Sequence, residues 1–448
     1  MQAAAHTHTH THTHSDRHPL LTPHASAVVM PTFWKEQAHV RRLYSAPDST
    51  SELIATCDKA YVPSLAYTAS TNSAVVVAED DATAPRVQLP FPAIDLSWCP
   101  FKKGTENAAY ATACHSQPIQ IWDLEDAELR ASYTATNDSD YHVHAHALCW
   151  FKAPTHQHWI AGGYGGFEDV TQVRVFDIMA EGSQPIWSYS DKRGKGIVSA
   201  MHDCQWQGTV SLLVVGSYDV PSVHLIDCRK RCPVAELHGL KRGVQVIRSG
   251  IDGSDPYCVY AGGSQGDSRI ACWDVRKPCA PLFTLSRPVH TNQVFQFDLL
   301  HVHAAAASDD GVSGCSRGLV STCSTGGVLL YRWRPGEIPS DGTEVHIGAS
   351  VGPTSGLAVV GPDTVVVSTG SRTYDVCPEG SKERARTLAL PLPCRDNNHG
   401  DETLQPRFPV HRRQRSPMQD ESDEESISAK LGLLTTTEAT NIAVLSLT

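Results

Sequence analysis

A short apolar run ending in an aspartate, or a close stand-in, recurs five times in this chain at spacings of about fifty residues. The runs are IQIWD (Ile119 to Asp123), VRVFD (Val173 to Asp177), VHLID (Val223 to Asp227), IACWD (Ile270 to Asp274) and VLLYRW (Val328 to Trp333). Such a period marks a repeat architecture, with one small sheet per repeat.

The pattern resembles a WD-repeat β-propeller, one four-stranded blade per repeat, and the fold class is read as all-β with seven blades. SLAYTAS and SAVVVAED (Ser64 to Asp80) read as an abbreviated first blade. Later blades open at Ala93, His146, Ile197, Val244, Asn292 and Ser355. The pattern stops after TVVVSTG (Thr364 to Gly370) and resumes only at NIAVLSLT (Asn441 to Thr448). An unclosed ring leaves raw strand edges, so the terminal strand is expected to complete the seventh blade. The organisation that follows is a disordered tail (1–50), a propeller (51–370), a disordered insertion (371–440) and a closing strand (441–448).

Between His6 and His14, histidine alternates with threonine. This is either a chelating tail or a translated dinucleotide repeat upstream of a true start at Met30. The insertion carries HRRQR (His411 to Arg415), a Ser-Pro at Ser416 and the acidic DESDEES (Asp420 to Ser426). It reads as a phosphorylatable loop, with Ser416 as the phosphosite.

A net charge of −11 excludes a generally basic, nucleic-acid-coating surface, so any RNA contact needs a local patch. There are 14 cysteines but no CxxC, and Cys149, Cys258, Cys272 and Cys323 lie in or beside apolar runs. They read as small buried hydrophobes in a reducing compartment. No apolar run reaches membrane-spanning length and no signal-peptide core is present, so the chain is read as soluble and intracellular.

The 23 histidines prompt a search for chemistry. No phosphate loop, HExxH or GxSxG occurs. His142, His144 and His146 alternate before the third blade; His142 and His144 could bracket a metal, or one packs at the junction while the others are solvated. GGYGGFEDV (Gly162 to Val170) is glycine-rich but lacks the lysine and helix of a phosphate loop. No enzyme activity, cofactor or metal is expected. Trp122, Phe176 and Trp273 read as packing between blades, and Asp123, Asp177, Asp227 and Asp274 as acceptors that fix the following turn.

In such a propeller, loops joining the second and third strands share one rim with the loops between blades. The inter-blade loops carry Lys192, Arg193, Lys195, Lys241, Arg242, Arg287 and His290; the others carry Tyr164, Phe167, Tyr218 and Arg269. Cations for phosphates and flat rings for unstacked bases suit single-stranded RNA. Glu168, Asp169, Asp219 and Asp267 on the same rim oppose that reading.

Several runs are similar to one WD40 family, the telomerase Cajal body proteins. They are PIQIWDLEDAELRASYTATND (Pro118 to Asp138), RGKGIVSA (Arg193 to Ala200), GSYD (Gly216 to Asp219), and AGGSQGDSRIACWDVRKP through PLFTLSRPVHTNQVFQFDL (Ala261 to Leu299). The acidic insertion followed by LGLL (Leu431 to Leu434) fits the same layout. The resemblance implies a scaffold for a small non-coding RNA, a small Cajal-body RNA or telomerase RNA, with telomerase or small Cajal-body ribonucleoprotein proteins as partners. It implies no membrane and no direct DNA contact, and a nuclear-body location with a cytoplasmic share left open. The chain departs from the family at LHGLKRG, where His238 falls outside the usual order, and in lacking a long proline-rich N-terminus. A protein-binding WD40 adaptor, such as one for a ubiquitin ligase, would use the same rim for a peptide. A catalytic propeller such as a methylesterase would need a nucleophile set the sequence does not display.

Overall fold

The structure is a computed structural model. It describes residues 39–47, 52–70, 73–77, 87–101, 108–152, 158–166, 171–180, 182, 184–191, 196–206, 210–250, 256–302, 316–334, 336–339, 342–346, 353–360, 364–369 and 441–446. All regular structure among them is strand.

The first sheet comprises β1 (Val40–Ser45), β2 (Glu52–Cys57), β3 (Ser64–Ser70) and β4 (Ser73–Val77). The second comprises β5 (Ala93–Trp98), β6 (Ala109–Cys114), β7 (Ile119–Asp123) and β8 (Leu129–Tyr133), followed by a hairpin of β9 (Ala135–Thr136) and β10 (His142–Val143). The third holds β11 (Ala147–Lys152), β12 (His158–Gly163), β13 (Val173–Asp177) and β14 (Trp187–Tyr189). The fourth holds β15 (Val198–Trp206), β16 (Val210–Ser217), β17 (Ser222–Asp227) and β18 (Cys232–His238). The fifth has β19 (Val244–Ser249), β20 (Cys258–Gly263), β21 (Arg269–Asp274) and β22 (Phe283–Ser286). The sixth has β23 (Phe297–Val302), β24 (Ser316–Thr322), β25 (Gly327–Trp333) and β26 (Thr343–His346). The seventh has β27 (Thr354–Val359), β28 (Thr364–Thr369) and β29 (Asn441–Ser446), with β29 antiparallel to β28.

Each sheet is antiparallel and its strands pair in chain order. Second strands such as β6 and β20 are covered on both faces and buried along their whole length. The core is therefore a series of layers between neighbouring sheets. Leu212, Leu225 and Leu237 of the fourth sheet, for example, pack with Ile247, Val259 and Trp273 of the fifth. First strands touch first strands: β1 meets β5, β5 meets β11, and so on to β23 and β27, and β27 meets β1. One cavity of about 290 Å³ is lined by residues on or beside the first strand of all seven sheets. An all-β array of antiparallel four-stranded sheets in this order is consistent with a WD40 propeller.

Five of the seven first strands (β1, β5, β15, β19 and β27) shift register near their first residue. A bulge there re-aims a side chain. Ser199 uses it to donate to Val244 O of the next sheet, and Ser355 donates to Val40 O at 2.9 Å.

The first sheet corrects the sequence reading. Val40–Ser45 falls within the expected tail, yet it is the innermost strand of a full four-stranded sheet. Val40 and Leu43 are buried, but Arg41 and Arg42 between them hide the apolar pattern. The His-Thr run, HRRQR, Ser416 and the acidic run lie outside the described residues.

Candidate nucleic-acid interface

The aspartates that end the repeat run hold the turns after them. Oδ1 of Asp123, Asp177, Asp227 and Asp274 accepts the N–H two residues on, at 3.0, 3.0, 2.9 and 2.9 Å. In two of them the residue donating that N–H is an arginine whose guanidinium folds back on the same carboxylate. Arg229 Nη2 stands 3.0 Å and Arg276 Nη2 2.6 Å from the carboxylate. The hydrogen bond from the arginine is the main reason that Asp227 and Asp274 sit below the usual carboxylate range, burial opposing it. Trp273 is fully buried with Nε1 on His238 O, and Phe176 is fully buried. Trp122 is half-buried and donates to Thr112 Oγ1.

Antiparallel pairing sends the loop between the second and third strands, and the connection to the next sheet, to one edge. There Tyr218, Lys241, Arg242 and His290 are exposed. Asp267, 1% exposed, builds this surface from beneath. Its Oδ2 accepts the backbone N–H groups of Lys241 and Arg242, and its carboxylate pairs with Arg269 Nε at 2.8 Å. Burial works against ionisation of Asp267, but the bonds from Arg269 and the loop N–H groups outweigh it and hold the carboxyl below its usual range. Arg269 is therefore spent largely on Asp267.

The next residue of that loop explains why the surface is continuous. A Cβ on Gly243 would stand 1.5 Å from the carbonyl oxygen of Tyr218, so only glycine lets the two loops meet. Asp267 was legible as an acid opposing the cations; its place beneath them was not. The signal was its position two residues before the cationic Arg269.

Two residues expected on this rim are inside. Arg287 is 1% exposed; Nη1 donates to Phe295 O at 2.7 Å and Ser321 Oγ at 3.1 Å, while Nε and Nη2 have no hydrogen-bond partner among the described residues. Tyr164 is 1% exposed beneath Arg174, whose guanidinium carbon is 4.7 Å from the ring centroid. Both side chains are buried, so neither presents itself to a ligand. Lys192, Arg193, Lys195, Phe167, Glu168 and Asp169 lie outside the described residues.

His142 is exposed, while the rings of His144 and His146 lie 4.6 Å apart between centroids and are tilted by 60° to each other. Among the described residues no group of three or more His, Cys, Asp or Glu is placed to hold a metal. In the central cavity the acids are engaged: Arg42 Nη1 and Tyr44 OH lie 2.7 and 2.6 Å from Asp95 Oδ1, and Arg248 Nε 3.2 Å from Asp298. Burial, then Asp95, pushes the Tyr44 hydroxyl well above its ordinary value, so it stays a protonated donor.

No protein-family model matches the chain. Among curated proteins, 297 residues are 30% identical to Telomerase Cajal body protein 1 of Bos taurus, 64% of this chain and 49% of that protein. The Homo sapiens protein of the same name is 31% identical over 225 residues, 50% of this chain and 37% of the relative. The Telomerase Cajal body protein 1 homolog of Drosophila melanogaster is 28% identical over 231 residues, 51% and 39% respectively. The chain spans at most about half the length of these curated relatives.

Proposed function

The chain is a divergent member of the telomerase Cajal body protein family, and from that premise we propose that it is a non-enzymatic, seven-bladed WD40 scaffold for a small non-coding RNA. Its RNA is of the small Cajal-body or telomerase type, and its role is to support ribonucleoprotein localisation to a nuclear body. The observation that carries the reading is the exposed surface of Tyr218, Lys241, Arg242 and His290 on an otherwise acidic protein. Two cations there are held to a fixed backbone by the buried Asp267, so phosphates meet a pre-ordered loop. Tyr218 adds a ring for an unstacked base.

The experiment is ultraviolet crosslinking of the tagged protein and sequencing of the bound RNA, with imaging of the tag in the nucleus. Small non-coding RNA should be enriched, and Lys241→Glu with Arg242→Glu should remove it. Binding of the wild type should fall steeply with added salt. Recovery of messenger-RNA background alone, unchanged by the charge reversals, would turn the reading to a protein-binding adaptor.

A further inference from the structure

We infer that Phe91, His115, His144 and His146 form a base-stacking track for single-stranded RNA on the same rim, an inference that rests on the RNA reading above. The four come from three separate stretches of chain: the connection into β5, the β6–β7 loop and the connection into β11. Folding brings them into one row. Phe91 lies edge-on to His115 at 5.9 Å between centroids, His115 is 4.5 Å from His144, and His144 is 4.6 Å from His146.

The row is held in place rather than loosely displayed. His115 Nδ1 and Ser116 Oγ are 2.8 Å apart, and His146 N–H donates to Gly163 O at 2.7 Å. The hairpin β9–β10 brings the chain to His144, its turn fixed by Asn137 Oδ1 accepting from Ser139 and Tyr141. The first two members are accessible, Phe91 at 44% exposed and His115 also exposed, while His144 and His146 are half-buried. A large apolar ring left in water beside an imidazole contributes little to the core, and its cost is offset when a base covers it.

Chemistry separates this row from the Lys241–Arg242 surface. Burial first, then His144 and His115, lowers His146 to about 4, so its ring is neutral at physiological pH. A neutral imidazole offers a flat face and hydrogen-bonding nitrogens to a base, whereas lysine and arginine neutralise phosphates. Going round the rim in chain order, the rings stand at the second and third sheets and the described cations at the fifth. A strand crossing both would place its bases on the first and its backbone on the second.

The test is fluorescence anisotropy on the full chain with a mixed-sequence single-stranded RNA of about twelve nucleotides, and with a ribose-phosphate strand of equal length lacking bases. Titrations at about 50 and 200 mM salt give the salt slope. Phe91→Ala combined with His115→Ala should weaken the base-bearing strand about tenfold, since each stacked base contributes on that scale. The salt slope should not change, and the preference over the baseless strand should shrink by the same factor. His115→Phe, which keeps a ring but not its nitrogens, should bind the base-bearing strand more tightly than His115→Ala does. The two exposed sites make unfolding easy to exclude by circular dichroism. Wild-type binding by the double variant, or an equal loss for both strands, overturns the stacking track alone. If the unaltered chain binds neither strand, the RNA reading falls and the track falls with it.

Discussion

At the junction of the seventh and first sheets, and at the rim loop of Lys241, a buried polar side chain satisfies the backbone of a neighbouring sheet. Gln296, 2% exposed, accepts Leu43 N–H of β1 at 2.8 Å and Leu357 N–H of β27 at 2.9 Å through one oxygen. Its amide nitrogen donates to Leu43 O at 3.3 Å. Asp267 does the equivalent for Lys241 and Arg242, but it is charged, and its loop faces water. The neutral staple suits a dry junction, where an uncompensated carboxylate would cost several kcal/mol. The charged staple suits a loop whose arginine and open surface can answer it. The two regions use one device, at one place within a buried junction and at the other beneath an exposed cationic loop.

The largest effect expected from breaking this comparison is at Gln296. Replacing it with leucine keeps much of the volume but strands two buried N–H groups and removes the bond to Leu43 O. At roughly 1–3 kcal/mol for each unsatisfied group, stability should fall by about 3 kcal/mol or more. Urea unfolding measures this, and a loss below about 1 kcal/mol would show that the junction is not held as described.

His146 should dominate an acid arm of the stability profile. Its folded value of about 4 lies below the ordinary 6.5, so the unfolded chain takes up the proton first. Stability is complete above the unfolded value and falls as the pH drops from 6.5 to 4. The loss from this group is up to about 3 kcal/mol, and His146→Phe should flatten that arm. Urea midpoints at several pH values in both proteins check it; an unaltered profile in the variant would remove His146 as the cause.

Much of the array was legible because the repeat is written in apolar strands bounded by turn-fixing aspartates. IQIWD and IACWD became β7 and part of β21 with their Asp in the expected kind of turn. What could not be read was depth. Loop position predicts that Arg287 and Tyr164 are exposed, but both side chains are buried, each 1% exposed. The residues that decide this are distant in sequence: Gly262, where a Cβ would stand 2.6 Å from Arg287 Nη2, and Arg174 over Tyr164. The ring row is hidden for the same reason, since Phe91 and His144 are neighbours of His115 only after three connections converge. Val40–Ser45 was missed because only two of its residues are buried.

Arg287 gives a smaller expected change in stability than Gln296 or His146, and the sharpest contrast with the rim. Burial is the main cause lowering it to about 10, and no carboxylate pairs with it among the described residues. At pH 7 it is charged both folded and unfolded, so the native state bears the desolvation cost in full. That cost is relieved only as the pH rises through about 10, where the folded protein releases the proton before the unfolded chain does. Arg287→Met replaces the guanidinium with an apolar side chain beside Phe297 and forgoes two hydrogen bonds. Stability should change between nil and a gain of about 2 kcal/mol, as for other buried ions replaced by apolar groups. RNA affinity should not change, because the side chain does not reach solvent. Lys241→Glu with Arg242→Glu should do the reverse, abolishing RNA binding while stability moves by less than about 0.5 kcal/mol. A loss of RNA binding in a stably folded Arg287→Met would return Arg287 to the binding surface and erase the distinction between depth and rim.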